Sequence, residues 1–123
     1  MKSILLGSTR KADIRIDGSK MTFNKRVVSA LGLSAGDVMD FGMDMQGEWY
    51  VYRRIKAEEV VGRYDCQLHA HTGGSVLIGY SKRMTDAVRG LLGVEEKSLS
   101  LYCGVKGEVE GYEAMTVIMR RMR

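Results

Sequence analysis

A pattern of apolar residues occurs twice in this chain. Residues 19–41 read SKMTFNKRVVSALGLSAGDVMDF, and residues 80–102 read YSKRMTDAVRGLLGVEEKSLSLY. At a constant offset Phe23 falls on Met84, Val27 on Val88, Leu31 on Leu92 and Gly32 on Gly93. Leu33 then falls on Val94, Val38 on Leu99 and Phe41 on Tyr102. Such self-similarity marks one supersecondary unit written twice, whose copies bury together what neither buries alone.

The local chemistry of each copy is the same. Phe23, Val27, Ala30 and Leu31 recur at helical spacing, as do Met84, Val88, Leu91 and Leu92. Thr22 is the expected N-cap of the first helix, and Ser81 or Thr85 that of the second. Gly32 and Gly93 supply the left-handed residue past each helix end, with Leu33 and Val94 folding back as the apolar partners of those caps. The chain has no proline and 15 glycines, so glycine serves every special turn. Helices of about three turns need a sheet to pack against.

Strands flank the helices. Residues 12–17 turn Ile14 and Ile16 inward. Residues 37–44 put Met39, Phe41 and Met43 on one face and acids on the other. Residues 48–53 are aromatic and β-branched, 98–103 alternate strictly, and 112–120 place Met115, Val117 and Met119 on one face. Residues 65–71 and 75–80 form a hairpin across 72–74. The expected order is β-α-β-β over 1–55, a connector over 56–64, and β-β-α-β-β over 65–123. The two units pack as one α+β, mostly β domain around a small barrel-like core.

Composition excludes several classes. A chain of 123 residues with 45% hydrophobic and 28% charged residues is globular rather than disordered, and long enough to fold without disulfides. No apolar run approaches the ~18 residues of a membrane span. The apolar patch Ile4-Leu5-Leu6 is too short for a secretory leader. Two cysteines make no disulfide framework, so a cytoplasmic protein is expected. The net charge of +4 permits an anionic partner without demanding one.

Leu31-Gly32-Leu33 followed by Gly36-Asp37-Val38, between a short amphipathic helix and a strand, resembles the AbrB family. The two-copy arrangement is similar to MraZ, with its swapped-hairpin, double-split β-barrel. Met21-Thr22 stands where that family has an Ile-Pro step, Ala35 stands at the proline of its Pro-Gly-Asp turn, and the second copy lacks the turn. The resemblance implies a DNA-binding transcriptional regulator. Two helix-bearing hairpins related by a pseudo-twofold match the symmetry of a duplex. Arg10, Lys11, Arg15, Lys20, Lys25 and Arg26, with Lys82, Arg83 and Arg89 from the second copy, are then the expected DNA-facing cations. Arg10, Lys11 and Arg15 are favoured, because in that family arginines near the N-terminal strand touch DNA.

Other chemistries find less support. His69 and His71 share a strand face and Cys66 takes the other, so a regular strand cannot converge the three on a metal. No third residue orients a nucleophile, and no glycine-rich run has phosphate-loop spacing, so neither enzyme activity nor a cofactor is expected. Two alternatives stand beside DNA regulation. One is a protein-interaction module, antitoxin-like or accessory to a phage or mobile element, that binds a protein partner or its own copy by a sheet edge. The other is a single-strand binder that stacks bases on Tyr50 and Tyr52.

Overall fold

The computed structural model describes residues 11–71 and 75–119. Its elements are β1 (Ile14–Asp17), β2 (Lys20–Phe23), α1 (Lys25–Leu31), β3 (Val38–Met43), β4 (Trp49–Ile55) and a 3-10 turn (Ala57–Glu59). Then follow β5 (His69–Ala70), β6 (Leu77–Tyr80), α2 (Lys82–Leu92), β7 (Ser98–Leu101), β8 (Cys103–Val109) and β9 (Tyr112–Val117). The hairpin turn expected at 72–74 lies outside the described residues.

The helix ends show where the repeat keeps its offset and where it slips. Gly32 (φ 61°) and Gly93 (φ 67°) close the two helices in the left-handed conformation, as their spacing predicts. The N-caps are Asn24, whose side chain accepts from the Val27 amide, and Ser81, whose side chain accepts from the Met84 amide. α1 has 7 residues and α2 has 11, so the second helix is longer by about one turn. The constant offset therefore holds through α1 and its glycine cap but not before α1 begins. Phe23, expected inside the first helix, is the last residue of β2, and Thr22 is a strand residue rather than the cap. Ladders on both sides of β2 decide this: Lys20–Phe23 pairs with β1 on one side and β6 on the other.

Nine strands form two antiparallel sheets, in the orders β5-β6-β2-β1-β7 and β3-β4-β9-β8. Each sheet takes strands from both halves of the chain. Among the described residues the ladder does not close into the expected barrel. The start of β3 leans on residues 66–68 through the Met39 amide to the Cys66 carbonyl (3.1 Å) and the Leu68 amide to the Asp37 carbonyl (2.8 Å), but only the Val38–Gln67 bridge joins the sheets there. One apolar core takes Ile14, Ile16, Met21 and Phe23 from the first sheet, Met39, Val51, Met115 and Val117 from the second, and Val27, Leu31, Met84 and Val88 from the helices. Each of these buried side chains contributes roughly 1.5–3 kcal/mol of hydrophobic stabilisation. Met43, expected inward with Met39, is 58% exposed because β3 runs past the end of the core.

The strand expected over 65–71 shrinks to two residues for a local reason. Cys66 adopts φ 56°, a left-handed kink in mid-segment. The kink sends its amide to the Tyr80 carbonyl (3.1 Å) and its thiol into the core over Gly79, where a Cβ would come within 2.8 Å of Sγ. Burial, with Asp65 and Asp40 adding to it, pushes the Cys66 thiol from 9.0 up to about 12. The native thiol is therefore expected to resist a disulfide reagent at pH 8 and to react fully once the chain is unfolded. Stability should fall as pH rises from about 9 towards 12, since over that window only the unfolded chain has released the proton. Rapid labelling of Cys66 under native conditions contradicts this.

Candidate nucleic-acid interface

Two buried carboxylates set the frame. Asp37, in the Gly-Asp step after α1, accepts the Ser34 amide (2.8 Å) and the Ala57 amide (2.7 Å), and pairs with Arg53 (3.5 Å). It ties the loop before β3 to the turn after β4. Asp13 accepts the Cys103 amide (2.7 Å) and pairs with Arg26 (3.1 Å), which ties the start of β1 to α1 and β8. Both carboxylates are almost fully buried, and charge-assisted bonds offset their desolvation.

The expected DNA-facing cations divide into those held by the fold and those left outward. Arg26 donates to the Cys103 and Gly104 carbonyls, both at 3.1 Å, besides pairing with Asp13. Arg89 donates to the carbonyls of Gly18 (2.8 Å), Glu96 (2.8 Å) and Lys97 (2.7 Å), which pins the β1–β2 turn to the loop after α2. Arg83 spans Asp40 (3.3 Å) and Asp65 (3.0 Å), and those two carboxylates hold its proton more tightly than usual against the opposing effect of burial. Lys82 pairs with Asp86 one turn on (2.7 Å). Lys11, Arg15 and Lys25 are exposed and Lys20 is half-buried. Arg10 lies outside the described residues.

Arg15 and Lys20 share the outer face of the five-stranded sheet. Register places Arg15 between Thr22 and Ser100, Asp17 between Lys20 and Ser98, and Lys20 between Asp17 and Tyr80. His69, beside Ile78 on β5, stacks on Tyr80 with ring centres 5.7 Å apart and planes 8° from parallel. The inward positions of the same strands hold Ile14, Ile16, Met21, Phe23 and Leu101. The outward face thus carries two cations, three hydroxyls, an imidazole and a phenol, with the apolar Ile78 buried between Thr22 and His69. Asp17 is its one carboxylate on a strand, held below the ordinary carboxylate value first by the Ser98 hydroxyl and then by Arg15, Lys20 and Lys97. Sequence reading missed Thr22, His69, Tyr80, Ser98 and Ser100 as members of this surface. Residue parity assigns them once Lys20–Phe23 is known to be a strand.

A second outward surface lies on the four-stranded sheet. Val51 is fully buried and Trp49 packs on the core, so Tyr50 and Tyr52 point the other way. Tyr112 joins them from β9, its ring 4.8 Å from that of Tyr52. With Gly42, Val109 and Ala114 they line a trough of about 240 Å³. Desolvation raises the Tyr50 and Tyr52 phenols above their ordinary value, and the Asp44 carboxylate (3.1 Å from Tyr50 Oη) adds to the effect on Tyr50. Asp44 and Glu110 make this end of the sheet acidic.

Cys66, His69 and His71 do not converge, and no cluster of metal-ligating side chains occurs among the described residues. No described helix is long and apolar enough to cross a membrane. No family model matches the chain, and neither curated proteins nor solved structures give a match.

The division of cations has a measurable consequence. Arg89→Ala removes the guanidinium from three backbone carbonyls, of which that of Lys97 keeps the Gly18 amide (3.0 Å), and is expected to lower unfolding free energy by about 1–3 kcal/mol in denaturant titration. Lys25→Ala, on an exposed helix turn, is expected to change it by less than about 0.5 kcal/mol. Equal effects of the two substitutions contradict the division.

Proposed function

We propose that the protein is a DNA-binding regulator of AbrB/MraZ type, acting in the cytoplasm as a binder rather than a catalyst. In this reading the two halves share a small barrel-like core, and the outer face of the five-stranded sheet lies against the duplex. One observation carries the reading. The β2–β6 ladder joins a hairpin from each half into a single open polar face, with Arg15 and Lys20 outward and unburdened by the backbone carbonyls that hold Arg26 and Arg89. Two antiparallel hairpins about a pseudo-twofold suit the dyad of DNA. Arg15 offers a guanidinium fork for a guanine edge or a phosphate, Lys20 and Lys11 neutralise phosphate, and Thr22, Ser98 and Ser100 offer neutral donors to the backbone.

The Tyr52–Tyr112 pair supports a second reading, in which bases of a single strand stack in the trough. Its acidic border weighs against a polyanion, so the duplex reading is preferred.

Fluorescence anisotropy with a labelled duplex tests the proposal. Binding should weaken steeply with salt, and the Arg15→Ala, Lys20→Ala double variant should lose about tenfold in affinity and reduce the log–log salt slope by about 2. No duplex binding at low salt overturns the proposal. Unchanged affinity in the double variant, with loss in Tyr52→Ala, moves the site to the trough.

A further inference from the structure

The sheet edges differ in how far they are covered. β5 has two residues and β7 has four. At β3 the Met39 amide is taken by Cys66, and the Phe41 amide by its neighbour's Asp40 carboxylate (2.8 Å). β8 is the outermost strand of its sheet and has seven residues. Arg26 covers only its first two carbonyls. Beyond them, among the described residues, no strand pairs with its outer side, and Val105 is 78% exposed.

The register of the β8–β9 hairpin decides which groups that edge presents. Glu110 (φ 51°) and Gly111 (φ 85°) both take left-handed backbone, the geometry of a two-residue primed turn. Val109 and Tyr112 close such a turn with their own hydrogen bonds. Alternation then points the N–H and C=O of Lys106 and Glu108 away from β9. The charges on this strand are also incompletely matched. Glu108 sits directly opposite Glu113, a destabilising like-charge pair, while Lys106 bridges to Glu113 at 2.7 Å.

We propose that β8 pairs antiparallel with β8 of a second copy of this chain, on a twofold axis at Gly107. Three twofold registers satisfy the outward groups near the middle of the strand. Centring on Lys106 opposes two lysines, and centring on Glu108 opposes two glutamates. Centring on Gly107 sets Lys106 against Glu108 of the second copy, twice, and brings Val105 opposite its Val109. That register supplies Glu108 with the cation that its own sheet denies it. Gly107 has open space where a Cβ would stand, so the fold of one chain does not require glycine there. Close approach of two backbones at the axis accounts for it. The result is a continuous eight-stranded sheet and an isologous dimer. This interface does not depend on the DNA reading, because the outer face of the other sheet stays free.

Sedimentation velocity on the full chain tests it by charge exchange. Wild type is expected as a dimer, Lys106→Glu and Glu108→Lys as species whose dimerisation is weakened about tenfold or more, and the double exchange as a dimer again. Glu108→Lys relieves the repulsion with Glu113, so its melting temperature as a monomer should stay level or rise, which separates lost pairing from lost folding. A monomeric wild type, or a dimer indifferent to Glu108→Lys, overturns the proposal. So does a double exchange that fails to recover the dimer while its circular dichroism remains native.

Discussion

Four antiparallel residue pairs, from Lys20 with Tyr80 to Phe23 with Leu77, act with the four pairs of β1 and β7 to hold the two halves of the chain in one sheet. Without the β2–β6 ladder, β5–β6 is an isolated hairpin, which is marginal in water, and β1–β2 keeps only β7 beside it. With it, Met21, Phe23 and Leu77 face one core, and Lys20, Thr22 and Tyr80 face outward together. The β4–β9 ladder repeats the device in the second sheet, where Val51 lies opposite Met115. Because each sheet mixes strands from both halves, neither half can bury its apolar face alone.

Electrostatics follow from this interleaving. Loops brought together from distant parts of the sequence leave carbonyls and carboxylates that need partners, and arginine is suited to several at once. Arg26 reaches from α1 to β8, Arg53 from β4 to the end of α1, and Arg89 from α2 to the β1–β2 turn. A surplus of basic residues in this chain is therefore partly structural. Of the described cations expected to face DNA, Lys11, Arg15, Lys20 and Lys25 are left without a backbone carbonyl or carboxylate that pins them and lie around β1, β2 and the start of α1, while Arg54, Lys56, Arg63 and Lys97 are exposed on other segments.

How far the sequence could be read depended on the range of the deciding interaction. Glycine caps, alternating strands and the Gly-Asp step are local and were legible, because cap chemistry and side-chain parity act within a few residues. The local mark of β2 is the Asp17-Gly18 turn between Ile14, Ile16 and Met21, Phe23, but Lys20–Phe23 reads equally well as the approach to a helix. Its strand state is set by β1 beside it and by β6 far along the chain. The same gap hid the neighbours of Arg15 and Lys20 on the sheet face, and it concealed that Arg89 is committed to three carbonyls. Cys66 broke a strand that alternation favoured, because its thiol is drawn into the space that Gly79 leaves. Closure of the sheets depends on the same long-range pairing: it needs a ladder between them, and among the described residues one isolated bridge, Val38–Gln67, joins them.

The polar face of the five-stranded sheet can be tested residue by residue. Duplex DNA titrated into isotope-labelled full-length protein at low salt, followed by amide shifts, is predicted to move Arg15, Lys20, Thr22, His69, Tyr80 and Ser100 as one patch. Shifts confined to Tyr50, Tyr52 and Tyr112, or spectra that DNA leaves unchanged, contradict that assignment.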